Sequence, residues 1–203
     1  MKTIRMDGKE VFPSKIVCVG RNYAAHIEEL HHTPPEQPVI FVKPNSAISS
    51  EVRFQSNDVV HYEAEIALLV RNGEFAGVGL GLDLTKRELQ TYLKKNGLPW
   101  ERAKAFDGAA VFSEFVSLGN DVSRLALDLA VNGEVKQEGG YELMLFKPER
   151  LLKEISSFMT LEDNDVVMTG TPKGVGPIKP GDHLLGRIIE AGIPLITAEW
   201  IVA

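Results

Sequence analysis

The chain has 203 residues, 44% apolar and 25% charged, the composition of a soluble globule, and one catalytic domain spanning 1–203 is expected. A formal net charge of −6 without a basic block argues against nucleic acid and anionic membrane as main partners. One cysteine rules out an intrachain disulfide framework; with no apolar leader and no apolar run long enough to span a bilayer, a reduced cytosolic or organelle-matrix location fits, and a cytoplasmic one is taken as the expectation.

The apolar run at 16–19 predicts a short buried strand, with Cys18 as a core thiol rather than a nucleophile. Gly20-Arg21-Asn22 reads as a turn, with Asn22 capping a short helix over 23–30. His26 and Glu29, at i and i+3, share a face of that helix. A carboxylate beside an imidazole suits a general base, although a surface His–Glu pair is the competing reading. The stretch 31–38, with three prolines and an isolated His31-His32 pair, reads as a loop before a strand over 39–42.

Residues 61–70 predict a strand carrying Glu63 and Glu65 on one face. Two carboxylates that close raise each other's pKa unless something positive lies between them, which a divalent metal would supply. Two ordinary acids on a solvated face are the alternative. Asn72-Gly73 is a hairpin signal, and 78–83 is a strand ending in Asp83. Thr85 and Glu88 form a capping box for a helix to about Lys95, and Asp83 by itself reads first as part of that helix start rather than as a site residue. Joined to Glu63 and Glu65, it completes an all-oxygen site of the kind that selects Mg²⁺, Mn²⁺ or Ca²⁺ over zinc. Arg87 and Lys104 are candidate partners for an anionic substrate, or ordinary surface cations.

Asn132-Gly133 predicts a hairpin between 125–131 and 134–137. Pro148 opens a helix through Phe158, with Leu151, Leu152, Ile155 and Phe158 on one apolar face. A strand over 166–169 runs into Gly170-Thr-Pro-Lys-Gly-Val-Gly176. No helix follows that loop, so it is no phosphate loop, but its N–H groups and Thr171 could line a pocket. A last hairpin joins 182–190 and 193–201 around Ala191-Gly192. Many hairpins with three short helices predict an α+β fold of mixed sheet.

In order along nearly the whole chain, Val17-Cys-Val-Gly-Arg-Asn-Tyr-Ala-Ala-His26, Phe41-Val-Lys-Pro44, His61-Tyr-Glu-Ala-Glu65, Leu82-Asp-Leu-Thr85, Gly97-Leu-Pro-Trp100, Ala103-Lys-Ala-Phe106 and Thr169-Gly-Thr-Pro-Lys-Gly-Val-Gly176 resemble the fumarylacetoacetate hydrolase family. The closest match is its small acylpyruvase and oxaloacetate decarboxylase/tautomerase branch. The resemblance implies a β-sandwich-like roll of mixed sheet with a few short helices, a homodimer, Mg²⁺ or Mn²⁺ on Glu63, Glu65 and Asp83, and a small keto-acid substrate. It places water activation on His26 and Glu29 in a lid, and substrate contacts on Lys104, Arg87, Gln90 and Thr171. One departure is visible: only 74–78 stands where family members carry a helix-containing stretch.

The implied chemistry is C–C hydrolysis of acylpyruvates, with the metal as Lewis acid at the keto oxygen and an enolate as leaving group. The same site would support oxaloacetate decarboxylation or keto–enol tautomerisation. Isomerisation or hydration of unsaturated dioates is a further enzymatic alternative. A catalytically silent metal- or ligand-binding protein is the alternative from another class.

Overall fold

The computed structural model describes residues 1–30, 33–54, 57–119 and 121–203; His31 and His32 fall outside them. A small antiparallel ribbon, β1 (Ile4–Met6) and β2 (Lys9–Val11), starts the chain. Next come β3 (Lys15–Gly20), helix α1 (Ala24–Glu29), β4 (Val39–Pro44), β5 (Ile48–Ser49) and β6 (Val60–Tyr62). Strands β7 (Ala64–Arg71) and β8 (Glu74–Asp83) form a tight hairpin. Asn72 and Gly73 there take φ of 51° and 74°, the left-handed pair that a two-residue turn requires. Strand β8 runs unbroken to Asp83, so the short connection noted in the sequence is simply strand.

Strand β9 (Thr85–Lys86) and helices α2 (Arg87–Lys95) and α3 (Glu101–Lys104) follow, then β10 (Ala110–Phe112) and β11 (Val116–Ser117). The hairpin β12 (Leu125–Val131) and β13 (Glu134–Gly140) precedes α4 (Pro148–Ser156), β14 (Val166–Met168) and β15 (Gly176–Pro177). The chain finishes with the hairpin β16 (His183–Glu190) and β17 (Ile193–Ile201).

Among the described residues a mixed sheet runs in the order β4-β3-β14-β7-β8-β10-β5, with β11 also on β8. A four-stranded antiparallel sheet, β13-β12-β16-β17, faces it, and β15-β6-β9 form a small third sheet. The main core lies between the two large sheets: Ile66, Leu68, Leu80 and Leu82 on one side, Leu127, Leu129, Leu184 and Ile188 on the other. Strand β7 is buried on both faces, since its alternate residues Ala67 and Leu69 pack into a second cluster with Cys18, Phe112, Phe115 and Met168. Strand β8 answers this with glycines on the crowded face: a Cβ on Gly79 would stand 3.0 Å from the Phe115 ring, and one on Gly81 2.7 Å from Met168. Helix α4 covers a third cluster with Leu151 and Ile155.

Four local expectations fail. Asn22 caps nothing: its amide donates to the carbonyls of Phe146 (3.0 Å) and Thr169 (2.7 Å) and accepts from the N–H of Phe146 (2.7 Å), locking the turn to two distant loops. Tyr23 occupies the cap position of α1, without a side-chain cap. Thr85 belongs to β9 rather than to a capping box, its hydroxyl donating to the Asp83 carbonyl at 3.1 Å. Helix α4 stops at Ser156, so Phe158 lies beyond it and is exposed. The strand expected over 61–70 breaks at Glu63, because the Ala64 N–H donates to the Gln137 side chain (2.9 Å) instead of a neighbouring strand. A fourth short helix, α3, was also not foreseen; it carries Lys104.

Candidate metal centre

Strands β3, β8 and β14 run in one direction and end together, so the turn at Arg21, the carboxylate of Asp83 and the loop from Gly170 meet at one rim. Strand β7 runs the opposite way and begins there, with Glu63 just before it and Glu65 as its second residue. The result is a cavity lined by His26, Glu63, Glu65, Asp83, Arg87, Gln90, Lys104 and Thr171. Of the sequence-derived site residues only Glu29 stands outside the lining, and it touches His26.

Glu63, Glu65 and Asp83 are all buried, and one carboxylate oxygen from each lies within 4.8 Å of the others. The Lys104 ammonium bridges Glu63 Oε2 (2.8 Å), Asp83 Oδ2 (2.6 Å) and Thr85 Oγ1 (2.6 Å). Arg87 forms a salt bridge to Glu63 and donates to Gln90 at 2.9 Å. Lys43 lies 2.7 Å from Asp83 Oδ1, at an angle that forms no hydrogen bond, so this buried oxygen lacks a hydrogen-bond donor. Glu65 differs from both. It accepts the Gly170 N–H at 2.6 Å, but among the described residues no ammonium or guanidinium pairs with it.

The titration behaviour follows this asymmetry. Burial opposes the Glu63 charge, but Lys104 and Arg87 outweigh it and hold its carboxyl well below the usual carboxylate range. Burial, then the charges of Asp83 and Glu63, push Glu65 well up. Burial alone would lower Lys104, yet Asp83 and Glu63 raise it above an ordinary lysine. A buried carboxylate without a cation, beside an acid oxygen without a donor, is what a divalent ion would complete. The all-oxygen donor set fits Mg²⁺ or Mn²⁺.

His26 is buried, and its Nδ1 stands 3.0 Å from Glu29 Oε2. Glu29 is itself held by the Gly174 N–H at 2.9 Å. Gly174 has φ 97°, and a Cβ there would fall 1.8 Å from the Lys136 carbonyl, so only glycine can bring that N–H to Glu29. Thr171 donates to the Ala64 carbonyl (2.9 Å) and accepts from Gln137 (2.8 Å).

Sequence reasoning missed Lys43, Arg21, Lys94, Phe41 and Trp100, which line or back the cavity. Lys43 had a signal: a lysine directly after the apolar run 39–42, where its carbon stem is drawn inward. Arg21, Phe41 and Trp100 had none beyond their places within the family-like motifs, and Lys94 stands in none of those motifs.

The family model "Fumarylacetoacetate (FAA) hydrolase C-terminal" matches residues 15–197. The chain is 42% identical to oxaloacetate tautomerase YcgM of Escherichia coli (strain K12), over 84% of this chain and 86% of that protein. It is 40% identical to the mitochondrial oxaloacetate tautomerase FAHD1 of Bos taurus, over 88% and 86% respectively. Its fold is similar to the crystal structure of fumarylpyruvate hydrolase from Pseudomonas aeruginosa in complex with Mn²⁺ and pyruvate: TM-score 0.90, 29% identity, covering 100% of this chain and 95% of that one. With the fold, the acidic centre and these matches in agreement, the chain belongs to the fumarylacetoacetate hydrolase family.

Proposed function

We propose that this protein is a divalent-metal-dependent enzyme of 2-keto acids whose main reaction is keto–enol interconversion of oxaloacetate. The observation that carries the reading is the buried three-carboxylate cluster sharing one cavity with an imidazole oriented by Glu29. The tautomerase names of the relatives support the substrate, and the Mn²⁺–pyruvate complex of the structural neighbour supports the metal and its pyruvyl ligand.

Mg²⁺ or Mn²⁺ held by Glu63, Glu65 and Asp83 would supply Lewis acidity at the keto oxygen. The protein's own groups do the rest. Glu29 accepts from the His26 Nδ1–H and so leaves Nε2 as the basic nitrogen. That nitrogen takes a proton from the carbon beside the carbonyl, and a proton is returned on oxygen to give the enol. The Lys104 ammonium sits against the acidic cluster, where negative charge would grow on the substrate oxygen. Arg87 and Gln90 lie on the cavity wall as donors for the substrate's first carboxylate, and Thr171, whose proton goes to the Ala64 carbonyl, shapes the wall beside them.

A second reading, hydrolysis of acylpyruvates, uses the same His26–Glu29 pair to activate water, and the fumarylpyruvate hydrolase neighbour favours it. Oxaloacetate decarboxylation is a third outcome for the same electron sink. The homodimer and a cytoplasmic location stay part of this proposal. Among the described residues no helix is long and apolar enough to cross a membrane, and the bovine relative is named as mitochondrial.

A substrate panel with Mg²⁺ tests the reading: enol and keto oxaloacetate, acetylpyruvate and fumarylpyruvate. Oxaloacetate interconversion should be the fastest reaction. Acylpyruvate cleavage faster by tenfold would make the protein a hydrolase first, and no turnover of any substrate would make it a binding protein.

A further inference from the structure

A second space adjoins the acidic cavity. It is a groove of about 510 Å³ along the open edge of β4, the outermost strand of the mixed sheet, and the turn after α2 forms its other side. Phe41, Trp100 and Lys104 line both the cavity and the groove, so the two share a wall. The Phe41 and Trp100 rings meet in that wall, their centres 5.8 Å apart and tilted by 54°. Strand alternation explains the junction: Val39, Phe41 and Lys43 lie on one face of β4, the face that carries Lys43 to Asp83.

The two spaces differ in size and in chemistry. The acidic cavity encloses about 40 Å³, room for roughly three waters. A divalent ion and the chelating carboxylate and keto oxygens of a 2-keto acid account for that volume, so a larger acyl group has to leave it. The groove is lined mainly by apolar groups, among them Val39, Leu98, Pro99 and the two rings. Its charged lining residues are Glu101 and Lys104. The Lys104 ammonium is committed to Glu63, Asp83 and Thr85, which leaves its carbon stem for the groove. Glu101 repels an anion. A carboxylate placed there meets no free cation among the described lining residues, whereas a hydrocarbon leaves water for an apolar surface.

We propose that the groove along β4 is a subsite for the apolar acyl end of acylpyruvates, entered past Phe41 and Trp100. It extends the range of the enzyme to uncharged acyl groups several carbons long. The proposal rests on the 2-keto acid reading above and deepens its hydrolytic side. It separates apolar acylpyruvates from fumarylpyruvate, whose far end is a carboxylate.

Binding of N-alkyl oxamates in the presence of Mn²⁺ tests this without turnover. Each carries the carboxylate and carbonyl of a 2-keto acid, and an unreactive amide holds the tail. A methylene taken fully out of water is worth roughly fourfold in affinity. In wild type, N-hexyloxamate should bind at least tenfold tighter than N-methyloxamate, and also tenfold tighter than N-(5-carboxypentyl)oxamate. Leu98 is 43% exposed and lines the groove but not the cavity, so Leu98→Asp should fold normally. It should bind N-methyloxamate as wild type does and lose the gain for the hexyl tail. Equal binding of the methyl and hexyl compounds by wild type overturns the subsite, as does a carboxypentyl tail that binds as tightly as hexyl. A hexyl preference that survives Leu98→Asp also overturns it, and a simultaneous fall from dimer to monomer would make the groove a contact between copies. Failure of oxamate itself to bind with Mn²⁺ would overturn the 2-keto acid reading and the subsite with it.

Discussion

The Lys104 ammonium and the Asp83 carboxylate meet at 2.6 Å, both buried, inside the cluster proposed to hold a metal. Lys104 is therefore an internal counter-ion as well as a candidate catalytic group. Removing one partner of a buried pair leaves an uncompensated charge and costs about 3–5 kcal/mol. Lys104→Met should lose stability on that scale without metal, lose activity, and gain more than wild type in thermal midpoint when Mn²⁺ is added. Scanning calorimetry with and without Mn²⁺ checks this; an equal metal-induced shift in both proteins would show that Lys104 and the metal do not share the same charges.

His26 separates the two chemistries. Its Nδ1 faces Glu29, so in the proposed mechanism Nε2 is the one ring nitrogen left to act as the base. General-base loss is worth roughly 10²–10⁴-fold in rate. His26→Ala should cost tautomerisation and acylpyruvate hydrolysis that much, and oxaloacetate decarboxylation, which moves no proton in the bond-breaking step, far less. Equal losses in all three rates would mean that His26 holds substrate rather than a proton.

Asp165 ties the chain's start to its C-terminal half. Its carboxylate accepts from Ser14 N (2.8 Å), Ser14 Oγ (2.7 Å), Lys15 N (3.1 Å) and Glu162 N (2.9 Å), and pairs with the Lys15 ammonium at 2.5 Å. Burial would raise its pKa, but these bonds outweigh burial and lower it. A depressed carboxylate contributes stability above its unfolded pKa and loses it as pH falls through the folded value. Asp165→Asn should therefore be less stable than wild type at neutral pH, with the gap closing in strong acid. A difference constant from pH 7 to pH 3 would contradict this.

Ala191 sits in the last hairpin at φ 51°, followed by Gly192 at 84°. The other two-residue turns use Asp7, Asn72 and Asn132 at that position, and aspartate and asparagine tolerate it better than alanine. Ala191→Asn should stabilise the protein by about 0.5–1 kcal/mol, a rise of about 1–4 °C in Tm at this chain length, measurable by thermal unfolding. An unchanged or lower Tm would show that the turn is held by the strands alone.

The hairpins at 72–73 and 132–133 were legible because Asn-Gly pairs announce a specific backbone geometry, and the last hairpin turns at Ala191-Gly192 as expected. The acidic centre was legible because Glu63, Glu65 and Asp83 carry charge in otherwise apolar strands. What failed was local capping logic: Asn22 and Thr85 are good cap residues, but tertiary partners at Phe146, Thr169 and Lys104 claim their side chains instead. The break at Glu63 was invisible because Gln137, on another sheet, takes the Ala64 N–H. Arg21 and Lys94 were unreadable for the same reason, since nothing in their own segments says that a distant turn and helix share one cavity.

The most direct test of the central claim is the rate of enol-to-keto conversion of oxaloacetate after chelator treatment and after readdition of Mn²⁺ or Mg²⁺, in wild type and Glu65→Gln. Glu65 is the buried acid without a cation, so its neutral isostere should fold with no loss of metal-free stability. The account predicts that wild type falls to the solution rate with chelator and recovers with metal, while Glu65→Gln does not recover. A wild-type rate that survives chelation, or a Glu65→Gln variant that recovers in full, would contradict it.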